Sequence, residues 1–101
     1  MNLKLHTPNT DFLYRAILQL KTPEECARFF EDMCTVRELQ SLSQRVVVAK
    51  MLSEKAVYND IVNATGASTA TISRVKRSLE YGCASYAMVF ARMEEENGDA
   101  K

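Results

Sequence analysis

The segment Val57-Tyr58-Asn59-Asp60-Ile61-Val62-Asn63-Ala64-Thr65-Gly66-Ala67-Ser68-Thr69-Ala70-Thr71-Ile72-Ser73-Arg74-Val75 decides how this chain is read. Two short helices crossing at about 90 to 120° need a sharp turn between them, and glycine takes the positive φ of such a turn at little cost. Gly66 stands at that corner. Ile61 and Val62 before it, and Ile72 and Val75 after it, are spaced to meet in a small core between the two helices. Ala67 is small enough to sit inside the turn, and the Ser68 hydroxyl is placed to cap the second helix. The pattern predicts a helix-turn-helix over residues 57 to 79.

The outward face of the second helix then carries the chemistry. Thr69, Ala70 and Ser73 are small or hydroxylic, which lets the backbone press deep into a major groove and brings methyls and hydroxyls to base edges. Arg74, Lys76 and Arg77 lie further along, in reach of phosphate or a guanine edge. Ser68 and the unpaired amide hydrogens at the helix start suit a phosphate. DNA-binding residues are therefore expected at Ser68, Thr69, Ala70, Ser73, Arg74, Lys76 and Arg77, with Gly66 as the turn. The plainer alternative is a helical hairpin that only packs, with Arg74 to Arg77 as a solvated face.

Outward from this segment the pattern stays helical. Residues 10 to 20 place Phe12, Leu13, Ile17, Leu18 and Leu20 on one stripe, opened by Asn9-Thr10-Asp11. Thr22-Pro23-Glu24-Glu25 is a capping box with proline at the first helical position, and Cys26, Phe29, Phe30 and Met33 follow on one face. A second capping box, Thr35-Val36-Arg37-Glu38, opens a longer helix that repeats Leu39, Leu42, Val46, Ala49 and Leu52 and ends at Ser53-Glu54-Lys55. Gly82 separates the hairpin from a last helix over about residues 83 to 95, with Tyr86, Val89, Phe90 and Met93 on its apolar face. The expectation is an all-α fold of six short helices in a single domain over residues 1 to 101.

Charge sharpens the reading. The net charge is zero, but residues 36 to 79 carry plus four, while residues 1 to 35 carry minus one and residues 80 to 101 minus three. Phosphate responds to the local patch, because fields are screened within about 10 Å at moderate salt. No stretch is long and apolar enough to cross a membrane or serve as a signal peptide, so a cytoplasmic protein without a membrane partner is expected. Three cysteines (Cys26, Cys34, Cys83) without CxxC spacing, and one histidine, argue against a disulfide framework or a metal site, leaving reduced, half-buried thiols. No nucleophile with a base and no phosphate-binding glycine loop is evident, so no catalytic residues and no enzyme are expected.

The run from Cys34 to Leu79 resembles the Trp repressor family, and within it the YerC/YecD branch. The residues that carry the resemblance are Thr35-Val36-Arg37-Glu38-Leu39, Ser43-Gln44-Arg45-Val46, Thr65-Gly66-Ala67-Ser68 and Ala70-Thr71-Ile72-Ser73-Arg74. The resemblance implies two interlaced subunits of six helices each, in which Phe12, Phe29, Phe30, Tyr86 and Phe90 join a shared core. It also implies a pseudo-palindromic operator in double-stranded DNA, read by two recognition helices roughly 34 to 36 Å apart. The function implied is sequence-specific transcriptional regulation, most simply repression, by a homodimer. In the tryptophan-binding member a corepressor sits between the long central helix and the recognition helix. The matching positions here are Thr35, Arg45, Thr71, Arg74 and Ser78, an implied effector pocket in which Arg45 would stack on the ligand and Arg74 bind its carboxylate. Val75 stands where that member has glycine, and its branched side chain takes space an indole ring needs, which counts against tryptophan. No cofactor is expected beyond such a small effector. A second reading keeps the fold but makes the hairpin a docking site for a partner protein, a role the zero net charge and Glu94-Glu95-Glu96 also suit.

Overall fold

Most helices begin where a side chain takes up an unpaired amide hydrogen. In the computed structural model, which describes residues 3–99, a 3-10 turn at Leu3–Leu5 precedes six α-helices, and no strand occurs among the described residues. They are α1 (Pro8–Ile17), α2 (Pro23–Met33), α3 (Val36–Ser53), α4 (Tyr58–Thr65), α5 (Thr69–Tyr81) and α6 (Ser85–Asp99). The all-α, six-helix expectation agrees with this architecture.

The caps explain where the boundaries fall. Thr7 caps α1: the Thr10 amide donates to the Thr7 hydroxyl (3.2 Å) and the Thr7 amide donates to the Thr10 hydroxyl (2.9 Å), with Pro8 in the first turn. The helix therefore starts before the Asn9-Thr10-Asp11 expected to open it, and it stops at Ile17 instead of reaching residue 20. For α2 the Thr22 hydroxyl accepts the Glu25 amide (3.1 Å), while the Glu25 carboxylate accepts from Lys21, one residue ahead of the expected partner (2.9 Å). The last helix starts at Ser85 and runs on to Asp99, later and longer than the spacing predicts. Ala84, just before it, holds a left-handed φ of 59°.

Chain contacts divide the molecule into two units, Met1–Leu39 and Gln40–Lys101. In the first unit neither α1 nor α2 has a buried residue. Phe12 and Leu18 are 66% and 78% exposed, and Phe29 and Phe30 are half-buried, edge to face with ring centroids 5.8 Å apart. The second unit holds the core: Val48, Ala49, Ile61, Ala67, Ile72, Val75 and Phe90. Ile61, Ile72 and Val75 form the small interhelical core as the spacing predicts, with half-buried Val62 packed against it. On α3 the buried pair is Val48 and Ala49, whereas Leu42 and Val46 of the expected stripe are exposed. Val46 and Val47 instead line a surface cavity of about 270 Å³ with Phe90 and Met93 of α6. The cysteines are unpaired thiols; Cys26 and Cys34 are half-buried, but Cys83 is exposed because it lies in the α5–α6 turn.

Candidate nucleic-acid interface and the adjoining cavity

The corner between α4 and α5 is built from local hydrogen bonds. Gly66 ends α4 in the left-handed region (φ 70°, ψ 8°), and its amide donates to the Val62 carbonyl at 2.8 Å. The Thr65 hydroxyl donates back to the Ile61 carbonyl (2.7 Å) and accepts the Ala67 amide (3.1 Å). From α3, the Gln44 side-chain amide donates to the Thr65 carbonyl at 3.1 Å. Ala67 is buried inside the turn, and the Ser68 hydroxyl accepts the Thr71 amide at 3.1 Å, opening α5. Only the glycine, the alanine and the serine cap are readable from spacing. The Thr65 and Gln44 braces are not, because Gln44 arrives from 21 residues away.

This corner fixes which face of α5 turns outward. Ile72 and Val75 point into the core, so Ser68, Thr69, Ala70, Ser73, Arg74, Lys76 and Arg77 are all exposed. Thr69, Ala70, Ser73, Lys76 and Arg77 fall at helical spacing along one stripe. Lys76 approaches Glu80 at 4.0 Å, an exposed pair of small energetic weight. Neither Arg74 nor Arg77 has a carboxylate partner among the described residues. The stripe is therefore narrow at its start and carries uncompensated positive charge towards its end.

The side of α5 next to this stripe borders a cavity of about 380 Å³. Ser41, Gln44 and Arg45 of α3, Thr71, Arg74, Val75 and Ser78 of α5, and Tyr86 of α6 line it. Four residues of the implied effector pocket (Arg45, Thr71, Arg74 and Ser78) thus come together. Thr35 is not on the lining; its hydroxyl accepts the Glu38 amide at the start of α3 (3.1 Å), and its own amide donates to the Glu38 carboxylate (2.8 Å). Hydrogen bonding to the carboxylate, first from the Thr35 amide and then from its hydroxyl, holds the Glu38 carboxyl below its ordinary value. Inside the cavity, Arg45 Nη2 donates to Ser41 Oγ at 3.0 Å, and the Ser78 hydroxyl donates to the Arg74 carbonyl at 3.3 Å. Val75, 4% exposed, forms part of the wall. Ser41, Gln44 and Tyr86 were not among the residues expected here; three helices bring them together, and no local spacing signals that.

A family model described as Trp repressor protein matches residues 8–94. The chain belongs to the Trp repressor family. It is 54% identical over 92 residues to the uncharacterised protein YerC of Bacillus subtilis (strain 168), covering 91% of this chain and 88% of that protein. A TrpR-like protein from Eubacterium eligens superposes with a TM-score of 0.89 at 56% identity, covering 92% of this chain and 96% of that one. A Staphylococcus aureus protein described as a candidate Trp repressor gives 0.87 at 54% identity, covering 90% and 91%. The Trp repressor family is one of DNA-binding transcriptional regulators, and the resemblance carried by the residues from Cys34 to Leu79 extends over most of the chain. Among the described residues no helix is long and apolar enough to cross a membrane, and no group of three or more His, Cys, Asp or Glu side chains is arranged to hold a metal ion.

Proposed function

We propose that this member of the Trp repressor family is a sequence-specific repressor that works as a homodimer in the cytoplasm, reading a pseudo-palindromic operator with α5 of each copy. The supporting observation is the exposed stripe on α5: Thr69, Ala70 and Ser73 at the narrow end, then Lys76 and Arg77, with Arg74 beside it, neither arginine having a carboxylate partner among the described residues, all carried on a corner braced by Gln44 and Thr65. A helix with small residues at its start enters a major groove without steric conflict, while guanidinium groups further along meet phosphates.

The pairing of two chains follows from burial. With no buried residue in α1 or α2, and with Phe12, Leu18 and Val36 open to solvent, residues 3 to 39 have no interior of their own. A second copy supplies that interior, so the single domain of 101 residues closes only in the dimer. A small effector in the cavity beside α5 would bias the reading helix; no catalytic step is assigned.

In-vitro selection of duplexes bound by the purified chain, followed by affinity measurements across a salt series, tests this reading. An enriched palindromic motif whose affinity falls steeply with salt is expected. Absence of any preferred sequence at low salt overturns it.

A further inference from the structure

Apolar contact holds the α4–α5 hairpin against α3: Val48 and Ala49 meet Ile61, Ala67, Ile72 and Val75 in one buried cluster. Such contact has no direction, so it keeps the hairpin on α3 without fixing the angle at which it sits. A directional bond joins the two as well. Gln44 Nε2 donates to the Thr65 carbonyl at 3.1 Å, linking positions 21 apart in the chain. Thr65 is the last residue of α4, and the final carbonyls of a helix have no partner inside it. Its hydroxyl is engaged within the corner, donating to Ile61 and accepting from Ala67, so its carbonyl is the group that ties the corner to α3. Both Gln44 and Thr65 are half-buried, where a hydrogen bond is stronger than in open water.

The bond sits close to the residues that read. Thr69, Ala70 and Ser73 follow Thr65 by four to eight positions, so where the corner rests on α3 decides where the narrow end of α5 emerges. In two copies related by a twofold axis, every displacement of that end is made twice, once on each side. Duplex DNA punishes such displacement: moving a half-site by one base pair shifts it about 3.4 Å along the axis and about 35° around it.

We infer that Gln44 is a positioning residue for operator recognition: by holding the Thr65 carbonyl it fixes the corner on α3, and with it the one half-site spacing that two copies accept. The consequence for DNA rests on the regulatory reading above, whereas the fixing of the corner rests on the hydrogen bond alone. In this role Gln44 touches neither base nor phosphate; it acts through α4 and α5.

The test uses the full chain and two variants at neutral pH: Gln44→Met, which keeps the length and loses the polarity, and Gln44→Glu, which keeps both and loses the donor. From the motif selected by the wild type, duplexes are made with the half-sites moved together or apart by one base pair. The wild type is expected to bind the selected spacing about tenfold or more tightly than either neighbour, and both variants to reduce that preference about threefold or more. A loss of folded protein weakens binding to every duplex by one factor and leaves the preference unchanged, so this readout separates positioning from stability. Residual dipolar couplings of the DNA-free chains, which report the order of α5 relative to α3, are expected to shrink along α5 in both variants. The inference is overturned if either folded variant keeps the wild-type spacing preference, if the couplings along α5 stay as they were, or if neither variant folds, which would make the bond a requirement of folding. Unchanged couplings and spacing in a chain that selects a motif sink this inference alone. Smaller couplings along α5 in variants of a chain that selects no motif sink the regulatory reading and leave the fixing of the corner standing.

Discussion

Thr35 and Glu38 close the start of α3 on each other: each backbone amide donates to the other's side chain, at 2.8 and 3.1 Å. The carboxylate form accepts the Thr35 amide, so the Glu38 carboxyl titrates below its ordinary value of 4.5. A folded-state value depressed in this way contributes stability above the ordinary value and loses it as pH falls through the lower, folded one. Acid unfolding of the wild type should therefore steepen below pH 4.5, and Glu38→Gln should flatten the curve in that window. Thermal melts of both proteins at a series of pH values check this; parallel curves would contradict it.

Gly66 and Gly82 should respond differently to alanine. At Gly66 a Cβ meets open space, so only the left-handed φ of 70° resists it, at a cost of about 1 to 2 kcal/mol. At Gly82 the Cβ would run into the Ser78 carbonyl oxygen, forcing the end of α5 to shift. Such overpacking costs about 1 to 3 kcal/mol. Urea titrations should therefore rank Gly82→Ala at or below Gly66→Ala in stability, with the wild type above both.

Ala84 holds a φ of 59° with a Cβ that this conformation disfavours. Replacing it with glycine removes about 1 to 2 kcal/mol of steric cost and adds up to about 1 kcal/mol of unfolded-state entropy. Ala84→Gly should thus be neutral to stabilising by up to about 1 kcal/mol, a gain visible as a raised denaturation midpoint. A clear loss of stability would show that the turn is not strained.

For Arg77, which is exposed and without an acidic partner among the described residues, the expectation concerns salt. If it meets phosphate, Arg77→Ala should weaken binding to all duplexes by similar factors and lower the logarithmic salt slope by about 1 per copy. Thr69→Val or Ser73→Val should instead change which sequences are preferred. Binding isotherms at four salt concentrations separate the two behaviours.

Phe12→Asp together with Leu18→Asp tests the shared interior. On a truly exposed surface such changes fall within about 0.5 kcal/mol. Buried between two chains, they should drive the protein to the monomer in sedimentation equilibrium and lower its melting temperature. Unchanged mass and stability would remove the case for pairing through the first unit.

The corner at Gly66 and the cap at Ser68 were legible because their determinants lie within a few residues of each other. Elsewhere local pattern was not enough. Thr7 and Pro8 precede the apolar stripe of α1, so the stripe alone puts the helix start too late. On α3 the three-and-four repeat identifies an apolar side but not which edge of it a partner helix covers, hence Val48 buried where Val46 was expected. The lining of the cavity was legible only through the family resemblance, which supplied Arg45, Thr71, Arg74 and Ser78. Ser41 and Tyr86 join them through tertiary packing, which leaves no mark on neighbouring residues.

If two copies pair as proposed, residues 3 to 39, which have no buried residue in α1 or α2, would reach their finished state by a second-order reaction. The chain's working fraction would then rise more than in proportion to the amount made. Control over its target would switch on within a narrow span of gene expression, and a daughter cell inheriting few copies would hold them mostly inactive.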